Sequence, residues 1–384
     1  MSRDLQIVLK ISERCNINCT YCYYFNHGNT SAHERPAYIS RDVVSGVYNF
    51  VRRSTELIDV GRINVILHGG EPLMVKKRHF AALCTEFSRL QDLRIPFHLA
   101  LTTNGMLIDD EWISIMSDYN IGVAVSIDGP QEYHDRERLD FQGRGTYSRV
   151  IDGIEMLRAA ADGGRIDEPS ALATIDVRSK GDVVYNHLAR ILKFTSMDFL
   201  VPQLLHDSNP GRDTTHAVGR YLLEAFNEWV RDDNPDIHVR VFNRYMDQIL
   251  GRGNAKDRNP DFIIVAVTSS GKIVNDDYML EIQPPLFTAD LNVQRNDIND
   301  YLKALKQGVL GEVYRPHDEC VKCEWFNVCR PSVLPYAGAE MRYKRETGFR
   351  NKLVYCEAYQ GLFNAMQEYV RLSTVAPARV RHAA

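Results

Sequence analysis

The sequence predicts an α/β chain: an incomplete (β/α)6 barrel resembling a TIM barrel, followed by a smaller cysteine-rich domain. Three observations lead there. From residue 5 to about residue 230, short apolar runs alternate with longer amphipathic stretches, the pattern of strands joined by crossover helices. At 251–261 "GRGNAKDRNPD" reads as a polar connection, after which come a hairpin-like "FIIVAVTSSGKIVNDDYM" and a cysteine-rich tail. Finally, 384 residues exceed the size at which single cores stop growing. The expected division is a barrel over 1–235, an appended domain over 236–372, and a disordered tail over 373–384, which has too few large apolar residues to pack.

The strands are expected at "LQIVLKI" (5–11), "INVILHG" (63–69), "FHLALTT" (97–103), "IGVAVSI" (121–127), "SALATIDV" (170–177) and "MDFLVPQL" (197–204). The first crossover helix should begin after Ser40, whose hydroxyl can cap the free amides, with Val43, Val44, Val47 and Phe50 on one face. Cys84, in the amphipathic "FAALCTEF", reads as a core thiol.

Charge excludes some classes of partner. Lys plus Arg number 46 against 50 Asp plus Glu, which gives no electrostatic footprint for nucleic acid or membrane. No run approaches the roughly 18 apolar residues of a membrane span, and "MSRDLQIVLKIS" is too short in apolar residues for a secretory signal. A cytoplasmic enzyme is expected. Its eight cysteines are then metal ligands or redox groups rather than a disulfide framework.

Three of them, Cys15, Cys19 and Cys22, follow the first strand as C-x3-C-x2-C with Tyr21 before the last thiol. They fall at the carboxyl end of a parallel sheet, where barrel enzymes build their sites. From spacing alone they can hold three irons of a 4Fe-4S cubane, form a zinc site completed by His27, or be buried thiols.

With "HGGEPL" ending the second strand, "TTNG" the third and "SIDGP" the fourth, the chain resembles the radical S-adenosylmethionine (radical SAM) superfamily. The resemblance implies that Cys15, Cys19 and Cys22 ligate a 4Fe-4S cluster whose open iron takes S-adenosylmethionine, with Tyr21 as the aromatic of the motif. It implies that Gly69, Gly70, Glu71 and Pro72 form the GGEP motif at the cofactor's amino group. The glycines would let backbone approach the ligand, and the carboxylate suits an ammonium. Thr103, Asn104 and Ser126 are then strand-end contacts to ribose and carboxylate. Arg138 fits the family's carboxylate-binding arginine, a solvated helix-face arginine being the alternative.

A second group, Cys320, Cys323 and Cys329 as C-x2-C-x5-C plus Cys356, can saturate a metal; four thiolates alone equally describe a zinc knuckle. This region resembles the SPASM extension, which implies an auxiliary 4Fe-4S cluster. Where that family places further thiols this chain has Val333 and Asp276, and no cysteine lies between 85 and 319. One auxiliary cluster on four cysteines is therefore expected, and two clusters in all.

Asp276 and Asp277 alternate in direction on an extended segment, so only one can face a barrel mouth. The resemblance favours Asp277 as general base. The tail "RYKRETGFRNKLVYC" is similar to that of radical SAM/SPASM maturases that cross-link peptides. The expected function is thus hydrogen abstraction from a ribosomal precursor peptide by a 5′-deoxyadenosyl radical, forming an oxidative side-chain cross-link. The alternative is a dehydrogenase or other radical enzyme acting on one protein residue or on a small molecule such as a sugar or aminoglycoside, met by basic residues such as Arg315, Arg342 or Arg350. An external electron donor such as flavodoxin or ferredoxin is implied. With the first strand at about residue 5, no recognition domain is expected ahead of the barrel. Leader binding would use the mouth, the C-terminal domain or a separate leader-binding protein.

Overall fold

The computed structural model describes residues 2–26, 31–208, 210–252, 262–274, 287, 289–307, 311–313, 315–329 and 340–375. In chain order the elements begin with β1 (Arg3–Ser12), α1 (Arg41–Leu57), β2 (Val60–Gly69), α2 (Lys77–Ser88), β3 (Phe97–Thr103), α3 (Asp110–Asp118) and β4 (Ile121–Ser126). They continue with α4 (Gln131–Glu137), α5 (Tyr147–Asp162), β5 (Ser170–Thr174), α6 (Gly181–Asn186), β6 (Ser196–Leu200), α7 (Arg212–Asp232), β7 (His238–Val239) and α8 (Arg240–Ile249). Then come β8 (Phe262–Val267), β9 (Ile273–Val274), α9 (Ile298–Leu305), the one-turn helices α10 (Asp318–Val321) and α11 (Phe326–Cys329), and α12 (Cys356–Val375). The result is a mostly parallel α/β fold, as the alternation of apolar runs and amphipathic stretches predicts.

The chain forms two compact units. The first comprises 1–126, 134–169 and 261–311. In it β1 pairs in parallel with β2 on one side and β8 on the other, β2 with β3, and β3 with β4. β1 shows why these residues form a strand. Leu5, Ile7, Leu9 and Ile11 are all fully buried at period two, in register with Ile63, Val65 and Leu67 of β2. The opposite face of β1 carries Gln6, Val8, Lys10 and Ser12. Helix α1 starts as expected: the Ser40 side chain accepts from Val43 N, and Val43, Val44, Val47 and Phe50 are buried. Cys84 is wholly enclosed in α2, as expected of a core thiol.

The second unit comprises 127–133, 170–260 and 312–384, with β5, β6 and β7 in parallel. Strand β6 stops at Leu200, short of the expected 204, because Pro202 lacks the N–H that a ladder needs. Strand β5 stops at Thr174 because Asp176 accepts from the Arg178 amide and turns the chain.

The units do not follow a single break at 235/236. The 262–274 segment is a hairpin, as expected, since β8 and β9 are antiparallel; but β8 also occupies the second edge of β1, with Leu5 opposite Ile263 and Ile7 opposite Val265, and so belongs with the first unit. Residues from 170 onward group with the C-terminal cysteines, where Tyr355 Oη donates to Pro202 O at 3.0 Å and His206 N to Tyr343 O at 3.2 Å. Residues 373–375 of the expected tail continue α12; 376–384 lie outside the described residues. Among the described residues no helix is long and apolar enough to cross a membrane.

Candidate functional site

The chain leaves β1 at Ser12 and enters the three-cysteine loop. Backbone bonds clamp the loop to the segment after α4: Asn18 N donates to Leu139 O at 2.7 Å and Thr20 N to Glu137 O at 2.9 Å. Asn26 holds it from within, Nδ2 donating to Cys19 O at 2.7 Å and to Asn18 Oδ1 at 2.9 Å. The end of β2 is stitched to its start by Gly70 N to Ser12 O and Glu71 N to Arg14 O, both 2.8 Å.

This stitching explains Gly69 and Gly70. A Cβ at Gly70 would lie 2.3 Å from Arg14 O and 2.9 Å from the Phe25 ring, and one at Gly69, where φ is +140°, 2.1 Å from Ser12 O. Glycine is needed at both positions by the close approach of the chain to itself, whatever else the two residues meet. Pro72 opens a single 3-10 turn that the Glu71 side chain caps.

Glu71 is fully buried. Its Oε1 accepts from Leu73 N at 3.0 Å and Thr103 Oγ1 at 2.8 Å, and its Oε2 from Asn104 N at 2.7 Å. Burial pushes its carboxyl up to about 7, against the pull of those three donors. A carboxylate has about four lone-pair sites, so one remains for an ammonium. Asn104 Nδ2 donates to Asn16 Oδ1 at 2.7 Å and lies 4.0 Å from Cys15 Sγ, so the end of β3 touches the cysteine loop. Ser126 ends β4 half-buried, on the face shared with Gly122 and Ala124.

Arg138 is only 7% exposed, with its guanidinium 5.5 Å from the centre of the Tyr21 ring, and its charge favours the Cys22 thiolate. The solvated reading of this arginine is thereby removed. Sequence reasoning missed Lys10: it is 1% exposed, its Nζ 3.2 Å from His68 Nδ1 and 4.7 Å above the Tyr24 ring, and it too favours the Cys22 thiolate. It also missed Glu13, wholly buried, which accepts from Tyr24 Oη and from Ser269 N and pairs with Arg35 at 3.5 Å. The available signal was a lysine standing as the one charged residue in the run from Leu5 to Ile11.

Cys15, Cys19 and Cys22 act on one another electrostatically. Burial drives the Cys15 thiol far up, helped by the Glu71 charge, and raises Cys22 as well. Such thiols ionise only against a strong local cation, which is what ligation supplies.

The C-terminal thiols are likewise neighbours. Cys320 sits on α10, Cys329 ends α11, and Cys356 opens α12, where the free amides of a helix start favour a thiolate. Gln360 Nε2 lies 3.6 Å from Cys323 Sγ. Burial, with Cys356, Cys320 and Cys323 around it, pushes Cys329 up to about 12. Among the described residues no three His, Cys, Asp or Glu side chains gather as around a single ion. Thiolates on a cubane ligate separate irons, so neither group needs a common point to take a cluster.

Arg342, expected as a substrate-facing cation, is instead fully buried, bonded to backbone carbonyls. Arg350 pairs with Glu312 at 3.3 Å on the surface. Asp276, Asp277, His27 and Val333 lie outside the described residues.

Residues 9–163 match the profile of the Radical SAM superfamily. The cysteine-type anaerobic sulfatase-maturating enzyme of Clostridium perfringens (strain 13 / Type A) is 24% identical over 376 residues, covering 94% of this chain and 95% of that protein. The serine-type enzyme of Bacteroides thetaiotaomicron is 25% identical over 265 residues, covering 65% and 63%. Among solved structures, native anSMEcpe with bound AdoMet aligns with a TM-score of 0.76 at 22% identity, over 97% of this chain and 99% of that one. Streptococcus suis SuiB bound to S-adenosylmethionine aligns with a TM-score of 0.51 at 14% identity, over 92% and 75%. These structures share the fold.

Proposed function

From a chain that carries a radical SAM domain over residues 9–163, we propose a maturase that oxidises side chains of a ribosomally made peptide and joins two of them. The observation that carries the reading is the three-thiol loop, one ligand short of a closed cubane, with the part-occupied Glu71 carboxylate, Asn104 and Arg138 at its rim. When bound, a 4Fe-4S cluster with S-adenosylmethionine on its open iron supplies the 5′-deoxyadenosyl radical that takes a hydrogen atom from the substrate.

The chain's own residues bind and orient. Cys15, Cys19 and Cys22 hold the irons, and Lys10 and Arg138 supply positive charge beside Cys22. Glu71 offers its remaining lone pair to the cofactor's ammonium, while Arg138 suits its carboxylate. Thr103 orients Glu71, donating its hydroxyl to the carboxylate while accepting from Gly105 N, and keeps one lone pair for the ribose. Cys320, Cys323, Cys329 and Cys356 hold an auxiliary cluster. The second hydrogen would leave the substrate as a proton, for which Asp277 is the base we assign, and an electron, which an auxiliary cluster held by the C-terminal thiols would accept; an external donor such as flavodoxin or ferredoxin would reduce the first cluster.

The similarity of the tail to cross-linking maturases supports joining of side chains. The likeness to sulfatase-maturating enzymes over 94% of the chain favours a second reading, oxidation of one residue in place. Co-expression with a short peptide encoded beside the gene, followed by intact and fragment mass spectrometry, separates them. Loss of two hydrogens with fragment ions missing across a short span supports the cross-link. The same loss confined to one residue supports in-place oxidation, and an unchanged peptide beside active cofactor cleavage overturns both in favour of a small molecule.

A further inference from the structure

Arg342 is the largest fully buried side chain in the described structure. Its guanidinium is spent on backbone: Nη1 donates to Val313 O at 2.8 Å, Nη2 to Phe349 O at 2.6 Å and to Arg315 O, and Nε to Asn351 O at 3.3 Å. Asn351 returns the grip, its Nδ2 donating to Arg342 O at 2.8 Å and to Gly348 O at 3.0 Å. One residue thus ties Val313 and Arg315 to Phe349 and Asn351, in the stretches that lead into Cys320 and Cys356.

Carbonyl dipoles satisfy the donors of a guanidinium, yet they do not neutralise its charge, and a buried charge costs several kcal/mol unless an opposite one stands near. Arginine stays charged even so. Among the described residues, Cys320 and Cys329 are near enough for negative charge on them to act on Arg342. A 4Fe-4S core on four thiolates carries net negative charge, and its reduction adds one more, so a fixed buried cation makes reduction easier.

We propose that Arg342 is the built-in counter-cation of the C-terminal cluster: it positions the cysteine-bearing segments and raises the cluster's reduction potential. The inference rests on the reading of Cys320, Cys323, Cys329 and Cys356 as cluster ligands. Lys352 provides an internal comparison. It also acts on Cys320 and Cys356, but it is exposed and paired with Glu319 at 2.7 Å, so solvent screens it.

The test uses the full chain with Cys15, Cys19 and Cys22 changed to Ala, reconstituted without oxygen, so that iron content and the redox-titrated EPR signal report the C-terminal thiols alone. A parent that takes up no cluster overturns the ligand assignment itself. With a loaded parent, Arg342→Gln should shift the midpoint to more negative potential and retain less iron. Arg342→Lys, which keeps charge but cannot span four carbonyls, should hold the parent's midpoint with reduced iron, and Lys352→Gln should match the parent in both. Arg342→Gln with full iron at the parent's midpoint overturns the proposal. Should Arg342→Gln fail to load, Arg342→Lys decides: loading at the parent's midpoint supports the counter-cation, and failure to load overturns it in favour of a purely structural arginine.

Discussion

The two cysteine groups solve the same problem, holding thiols for iron, with opposite means. The N-terminal three sit on a loop clamped by main-chain bonds to 137–139 and to the end of β2, so strand ends fix them. Of the C-terminal four, Cys320 and Cys329 sit on one-turn helices too short to be stable alone, Cys323 in the turn between them and Cys356 at the start of α12, and the buried Arg342 ties the segments leading into Cys320 and Cys356. Their electrostatics differ too. Beside Cys15 stands the acid Glu71, with Lys10 and Arg138 near Cys22; the C-terminal thiols see Arg342, Arg244 and Lys352. An open site needs both signs, because its missing ligand is a zwitterion. A closed site needs only the counter-charge.

The sharpest way to break this comparison is to delete one thiol from each. Cys22→Ala should bring anaerobic cleavage of S-adenosylmethionine to background, read as 5′-deoxyadenosine by chromatography. Cys356→Ala should keep cleavage while losing modified product. If both variants lose cleavage, the division of labour is wrong. Next in size is a matched pair of glycine substitutions. Gly70→Ala forces a Cβ onto Arg14 O and should destabilise by about 1–3 kcal/mol or more. Gly361→Ala, within α12 and with open space at its Cβ, should stabilise by about 0.5–1 kcal/mol. Urea midpoints of the two variants should move in opposite directions.

Glu71 gives a pH test of comparable size. Below its ordinary value of 4.5 both native and unfolded chains carry the proton; above it the unfolded chain ionises while native Glu71 keeps its proton up to about 7. Stability from this group therefore falls as pH rises through that window, by roughly 3 kcal/mol in total. Glu71→Gln should flatten that part of the stability profile relative to wild type, and an unchanged slope would remove the buried acid from the account. The smallest effect is expected of Asn26→Ala, which frees Cys19 O and Asn18 at a cost of about 1 kcal/mol. Thermal denaturation against wild type measures it, and loss of iron from the first cluster but not the second would sharpen the contrast.

How much of this was legible follows from how local each signal is. The spacing of Cys15, Cys19 and Cys22, the GGEP run and the period-two alternation of β1 are written within a dozen residues each, and the structure places the thiols and strand ends together as they imply. The cap at Ser40 is legible for the same reason. Arg342 was misread because a charged side chain in a polar stretch looks solvated until its carbonyl partners, contributed from 313 to 351, are known. Lys10 and Glu13 were passed over because their partners His68, Tyr24 and Ser269 come from other strands and loops. The place of β8 beside β1 could not be read either, since two apolar strands some 250 residues apart carry no mark of pairing.

By itself, then, the sequence determined the fold class, the thiol spacings and the order of the strand-end motifs, because each depends on backbone periodicity and neighbours along the chain. Only the tertiary structure decided that Gly70 has no room for a Cβ against Arg14 O, that Glu71 is nearly saturated, and which unit receives 262–274 and 170–235. Those depend on burial and on hydrogen-bond partners far apart in sequence, and a buried charge shows its role only when the groups that share its desolvation are in view.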